Sequence, residues 1–288
     1  MNKGPRLAEG RAAELFAWGD DQVLKLFRNN HWIAAEQEAQ IGRLAYAHGV
    51  RTPRVYEIIE WEGRPGIIFE RIQGVALLTA FSTQPWRLLA LARAFAELHA
   101  TLHQVSMPEL RPIHEVLQAH IQQAPGLPIG LQQASLNLLH QLPDVDKLCH
   151  SDFHPDNVIV APDGLVVVDW ANAVAGHPLA DVAKTNLLLK FGQLPPRVPV
   201  VKRWGLELLR TLLRTTYLNR YFQINALPRQ QLTLWMAPIA AARLSEQIPG
   251  EQAPLTNFIK TQLNKKDFLH AHRQSAGNDS AIDPQLHG

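Results

Sequence analysis

Nine consecutive residues, Cys149-His150-Ser151-Asp152-Phe153-His154-Pro155-Asp156-Asn157, hold an unusual density of reactive side chains. His150, Asp152 and Asn157 follow the spacing H-x-D-x-x-x-x-N, and twelve residues after Asn157 the apolar run Leu165-Val166-Val167-Val168 ends in Asp169-Trp170. A carboxylate, an amide and a second carboxylate so spaced suit phosphoryl transfer, which needs positioning and charge neutralisation more than covalent chemistry. Asp152 is the candidate catalytic base, placed to orient an attacking hydroxyl and accept its proton. Magnesium prefers hard oxygen ligands and keeps several waters, so few protein donors suffice. The amide oxygen of Asn157 and the carboxylate of Asp169 are the candidate metal ligands. The runs Asn157–Val160 and Leu165–Val168 flank Pro162-Asp163-Gly164, a hairpin signal that would bring both donors to one cluster.

The same stretch admits two other readings. His150, Asp152, His154 and Asp156 alternate, and on an extended strand alternate residues share a face. They would then be transition-metal ligands of a hydrolase. Pro155 opposes a regular strand there, and no second His/Cys cluster has ligand spacing. A nucleotide-binding protein of similar build but without turnover is the third reading; the presence of every reactive residue counts against it.

The elements that must position these groups can be sketched from patterning. A chain of 288 residues, 46% hydrophobic and 19% charged, suits two lobes with an ordinary globular composition. Residues 1–73 predict strand, strand, helix, strand, strand. Ala13–Trp18 and Gln22–Phe27 flank Gly19-Asp20-Asp21, Asn30 is the expected cap of a helix running to about His48, and Val55–Trp61 and Gly66–Ile72 flank a second turn. Lys25 lies within the second run, on the opposite face from Leu24 and Leu26. A phosphoryl-transfer site needs such a Lys paired with a helical Glu. Glu36 aligns with a polar face; Glu38 aligns with Ile41 and Ala45 at the edge of the apolar face and is the better partner. Helices are expected over 85–105, 113–122 and 130–141, and from Pro178 to about Leu263. The tail 266–288 reads as disordered, and residues 74–265 as the second lobe.

The net charge of +2 conceals an asymmetry: residues 1–183 carry 14 Lys/Arg against 20 Asp/Glu, and residues 184–288 carry 14 against 6. The basic residues form no compact run, so no nucleic-acid partner is expected. No apolar run approaches the roughly 18 residues of a membrane span. The opening MNKGPRLAEG lacks the apolar segment of a secretory leader, and Cys149 is the only cysteine. A reducing cytoplasm is the expected location, with no membrane partner.

With these motifs in place, the chain resembles the phosphotransferase family that includes aminoglycoside phosphotransferases and is related to choline kinases. The resemblance runs from about Leu7 to Glu251. It is strongest at His150–Asn157, at Val166–Ala173 and at Gly176-His177-Pro178-Leu179-Ala180-Asp181-Val182-Ala183. It implies an α+β, bilobal protein-kinase-like fold with a small antiparallel-sheet lobe, a helical lobe and ATP in the cleft. By similarity, Asp152 is the base, Asn157 and Asp169 hold Mg2+, and Lys25, held by Glu38, contacts phosphate. The backbone of Glu70 and Ile72 hydrogen-bonds adenine. Asp181 braces the catalytic loop, and His150 is structural. The glycine loop over the phosphates reduces to Gly10. Ser151 stands where many relatives have Gly, and His177 where many have Asp. The acceptor is a small hydroxyl-bearing compound held by the C-terminal helices. Aminoglycosides are polycations and would need an acidic pocket, whereas after Lys184 only Glu207, Glu246 and Glu251 are the main candidates. Neutral or anionic acceptors are therefore favoured. Trp204, Tyr217 and Trp235 read as core residues before pocket residues, and Arg243 and Glu246 as a possible helical pair.

Overall fold

The computed structural model describes residues 3–192 and 200–264. The expected disordered tail lies outside them. A five-stranded antiparallel sheet opens the chain: β1 (Lys3–Glu9), β2 (Ala13–Trp18), β3 (Gln22–Phe27), then helix α1 (Trp32–Ala47), β4 (Val55–Trp61) and β5 (Arg64–Glu70), in the order β1-β2-β3-β5-β4. Both faces of β3 are used. Leu24 and Leu26 are fully buried with Trp18 and Ile68 on one face. On the other, Phe27 and Ile67 pack against Ala35 and Ala39 of α1. The small Ala side chains let the helix lie close to the sheet, which is how α1 aims a residue at β3. The β4–β5 turn has positive φ at Glu62 and Gly63 (54° and 70°), the handedness that matches strand twist in a tight hairpin.

Two expectations for this lobe need correction. β1 precedes the expected first strand; it is an edge strand, mostly exposed, and its Gly4 and Pro5 hide the strand pattern. The cap of α1 is His31, without a side-chain cap bond, rather than Asn30.

The chain crosses to the second lobe through residues 71–74 into β6 (Val75–Ala76), followed by α2 (Leu77–Thr83), a short helix the periodicity had not suggested. A Cβ at Gly74 would lie 2.4 Å from the Val160 carbonyl oxygen, so the crossing runs directly against the next sheet. Then come α3 (Leu88–Leu102), α4 (Ile113–Gln122), α5 (Ile129–Leu139), β7 (Lys147–Cys149), β8 (Val158–Ala161), β9 (Gly164–Val167), β10 (Val174–Gly176), α6 (Pro178–Phe191), α7 (Val200–Ile224), α8 (Leu232–Arg243) and a last helix, α9, over 252–264. No helix among the described residues is long and apolar enough to cross a membrane.

Two small sheets set the reactive stretch. β8 pairs with β6 and β9, and β7 pairs with β10. Residues 150–157 therefore leave one sheet and enter the other, and residues 168–173 return. Asn157 ends a short 3-10 turn begun by Pro155 rather than starting the strand, as the alternation had suggested. Beneath the loop, the Phe153 ring stacks on Phe95 and His99 of α3, with centroids 4.3 and 4.0 Å apart. Burying an aromatic ring of this kind stabilises the fold by about 2–3 kcal/mol. Tyr217 and Trp235 are buried in the same helical core, and Trp235 stacks on His177 at 5.5 Å.

Candidate active site

β3 presents Lys25 to the cleft because its neighbours Leu24 and Leu26 take the opposite face. α1 brings Glu38 beneath it, and Lys25 Nζ donates to both carboxylate oxygens at 2.6 and 2.8 Å. A third bond, 3.0 Å to Asp169 Oδ1, joins the sheet lobe to the return segment. Burial works against charge on Lys25, but the carboxylates of Glu38 and Asp169 outweigh it and raise the lysine pKa. Burial, with help from Asp169, also pushes Glu38 upward against the pull of Lys25. The Lys25–Glu38 pair is ionised, because Nζ sits between two carboxylates at bonding distance, which an uncharged amine would not satisfy.

Asp152 and Asn157 lie side by side, Asn157 lining the first of two cavities and Asp152 the second. Asn157 Nδ2 donates to the Asp152 carbonyl at 2.9 Å and to Asp152 Oδ2 at 3.3 Å. The amide nitrogen is thus committed, and Oδ1 is the end of Asn157 that remains a donor atom for a cation. Asp169 has a φ of 69°, a left-handed conformation, and its side chain stays 44% exposed to the cleft. One hard amide oxygen and one open carboxylate fit the ligand demands of a divalent magnesium ion. His154 Nε2 lies 3.6 Å from Asp152 Oδ2. Burial alone would raise the Asp152 pKa, but the hydrogen bond and charge of His154 lower it below the ordinary value. The reciprocal pull of Asp152 raises His154 despite its burial. Removing the imidazole removes a lowering influence. His154→Asn is therefore expected to raise the Asp152 pKa and move the acid limb of the kcat/KM profile to higher pH. A pH–rate profile of both proteins checks this; superposable acid limbs would contradict it.

The loop itself hangs on Asp181, which is fully buried in the first turn of α6. Its Oδ2 accepts from the His150 N–H at 2.6 Å and its Oδ1 from the Ser151 N–H at 2.9 Å. His99 and His103 also approach Oδ2, at 3.0 and 3.4 Å, while their Nδ1 atoms each lie 2.7 Å from a tyrosine hydroxyl, of Tyr217 and Tyr221 respectively. A carboxylate only accepts, so both Nε2 atoms carry the proton and both Nδ1 atoms accept from tyrosine. This bracket holds Ser151 at a φ of 59°, the left-handed region that favours glycine. His99 and His103 were missed from the sequence. Their spacing of four on a helical segment was the available signal; only the apolar residues of that segment entered the pattern.

Among the described residues, His99, His103 and Asp181 are the one group of His, Cys, Asp and Glu that converges as metal ligands do. The rival set His150, Asp152, His154 and Asp156 does not converge. His150 turns inward, its Nε2 3.1 Å from the Val168 carbonyl and its ring 4.9 Å from that of Trp170.

Two cavities meet at Lys25. The first, 410 Å³, runs from Leu15 and Val23 past Phe69–Gly74 to Asn157 and Asp169. Glu70 and Ile72 line it, and the Glu70 N–H is already donated to the Arg54 carbonyl at 2.9 Å. That N–H is therefore not available to a ligand edge. The second cavity, 610 Å³, contains Asp152 and lies against α4, α6 and α8. Leu15, Lys25, Glu38 and Asp169 belong to both. Gly10 lines the second cavity, in the β1–β2 turn, where its N–H closes onto the Ala13 carbonyl at 2.9 Å. Tyr217 and Trp235 line neither.

The profile of the phosphotransferase enzyme family (APH) matches residues 4–214. Solved structures of similar fold include an aminoglycoside-3'-phosphotransferase of type VIII, 18% identical, covering 82% of this chain and 90% of its own, with a TM-score of 0.58. A choline/ethanolamine kinase family protein from Mesorhizobium loti is 19% identical, covering 92% of this chain and 88% of its own, with a TM-score of 0.55. The streptomycin-ATP-APH(2")-IIa ternary complex is 14% identical, covering 88% and 90%, with a TM-score of 0.56. At these identities the likeness is one of fold. Among curated proteins, acyl-CoA dehydrogenase family member 11 from Homo sapiens is 37% identical over 80 residues, 26% of this chain. The match spans only 10% of the length of that relative.

Proposed function

The chain belongs to the phosphotransferase enzyme family, and from that premise we propose that it moves the γ-phosphate of ATP to a hydroxyl of a small molecule. The observation that carries this reading is the meeting of two cavities at Lys25 and Asp169, one bordered by the interlobe crossing and the other containing Asp152. A nucleotide in the first would lay its terminal phosphate at the junction, opposite an acceptor in the second. The name of one structural relative records ATP beside a small-molecule ligand, which supports the choice of nucleotide.

In this reading the Glu70 carbonyl and the Ile72 N–H pair with the adenine edge. Lys25, held by Glu38, contacts the phosphates, and the Gly10 turn closes over the junction. Asn157 Oδ1 and Asp169 hold Mg2+. The ion supplies neutralisation of the phosphate charge when bound. Asp152 accepts the acceptor hydroxyl proton as the acceptor oxygen bonds to the γ-phosphorus and the bond from that phosphorus to the β-phosphate oxygen breaks, leaving ADP. Asn157 Nδ2 and His154 fix the Asp152 carboxylate in place and keep it ionised. Asp181 positions the loop that carries it.

Thermal unfolding with magnesium-ATP against magnesium alone tests the nucleotide half. At about 100 times its dissociation constant a ligand adds roughly 2.7 kcal/mol, and each kcal/mol is worth about 2–4 °C in a chain of this size. The parent is expected to rise by about 5–10 °C, and Asp169→Ala by clearly less. No rise in either protein at millimolar nucleotide would remove the basis of the reading.

A further inference from the structure

We infer that the acceptor is an alcohol with an apolar body and no cationic group, seated in the second cavity against α4 and α8. This rests on the phosphotransferase reading and names the substrate class of the same site. The wall is apolar: Ile113, Val116 and Leu117 from α4, and Ile239 and Ala242 from α8. Asp152 lines the same cavity. Arg11, His120, Ser151, Asn172 and Lys184 also line the cavity, but the part of an acceptor laid on the α4–α8 wall meets hydrocarbon, and a polar body would lose hydration there without replacement.

The carboxylates decide the charge. A cationic acceptor needs an anion in the cavity besides Asp152 and Asp169, which the chemistry occupies, and Glu38, which Lys25 occupies. Among the described residues after Lys184 the acidic side chains are Glu207, Glu246 and Glu251, and each is already paired with a cation. Glu246 reaches the cavity but is bonded by Lys184 and lies 3.1 Å from Arg243 Nη1. Glu251 is buried in a two-bond contact with Arg243, at 2.7 and 2.9 Å. Glu207 lies outside the cavity and pairs with Arg210 at 3.3 Å. The remaining charged lining groups are the cations Lys184 and Arg11. Burial lowers the pKa of His120, which adds no anion either. An acceptor ammonium would meet like charge and lose its water.

The test uses the full chain and two acceptors of equal length, 1-hexanol and 6-amino-1-hexanol, titrated calorimetrically with and without magnesium-ADP. Hexanol is expected to bind about tenfold more tightly or better. Val116→Glu, at a half-buried position, places a carboxylate on the wall and is expected to narrow or invert that ratio. Lys184→Met, which releases Glu246 from one of its two cations, is expected to shift it the same way and guards against misfolding of the first variant. Equal binding, tighter binding of the amino alcohol to the parent, no binding of either, or a ratio that neither folded variant moves would overturn the inference. Failure of the phosphotransferase reading has a different signature: no magnesium-nucleotide binding and no ADP release with any acceptor, while the ratio of the two alcohols remains readable in nucleotide-free protein.

Discussion

Asp152→Asn lowers kcat by about 10²–10⁴-fold, the range expected when a general base is removed from a proton transfer, and leaves the thermal response to magnesium-ATP close to that of the parent. The substitution is isosteric, so the contact with Asn157 Nδ2, 3.3 Å from Asp152 Oδ2, keeps its geometry if the new amide oxygen takes that place. What is lost is the ability to take a proton at neutral pH. Asp152 lies outside the first cavity, so the proposed nucleotide contacts there are untouched. Stopped-time assays of ADP release, at saturating nucleotide and acceptor, separate the two effects. A variant turning over within a few-fold of the parent would show that the proton leaves by another route.

Asp181→Ala has the largest expected effect on stability, about 3–5 kcal/mol, because it strands the His150 and Ser151 N–H groups and the His99 and His103 imidazoles in a dry interior. In a chain of this length that lowers Tm by about 10 °C. Asp181→Asn is not expected to rescue it, since its amide nitrogen would face donors. The same bracket gives a pH dependence. Burial alone would raise the Asp181 pKa, but His99 and His103 drive it far below the ordinary carboxylate range. A depressed carboxylate contributes stability above its unfolded pKa, near 3.9, that is lost as pH falls toward the folded value. Burial, chiefly, lowers His99 to about 4, against an unfolded value near 6.5. Between those two values the unfolded chain binds the extra proton, so stability falls as pH drops from about 6.5 to 4. Tm measured across pH 4–8 is expected to fall below about 6.5; a Tm unchanged from pH 7 to 4.5 would contradict a neutral, buried His99.

The reactive stretch was readable because its side chains stand close in sequence and its flanking strands have clean apolar runs. The hairpin between Asn157 and Asp169, the sheet lobe around Lys25 and the inward face of α1 all follow from local patterning. Glu38 rather than Glu36 meets Lys25 because a helical period of 3.6 places it beside Ile41 and Ala45, toward the sheet. The bracket around Asp181 was only half visible. His99 and His103 lie 82 and 78 residues from Asp181 in sequence, and only the packing of α3 and α6 about β7 and α7 gives them common ground. β1 escaped because an exposed edge strand has no buried face to print an alternation. The division of Glu246 and Glu251 between Lys184 and Arg243 could not be read from spacing, since three elements converge there. It is that convergence which decides how much negative charge the cavity offers.

Phosphorus-31 NMR of the parent protein with magnesium-ATP and a pooled set of small alcohols tests phosphoryl transfer most directly. The expected spectrum loses the γ-phosphate resonance and gains ADP together with a phosphomonoester signal, and none of this occurs with Asp152→Asn on the same timescale. A spectrum in which ATP binds but persists, or yields only ADP and inorganic phosphate with every alcohol, would contradict transfer to a hydroxyl and leave a nucleotide-binding protein without that activity.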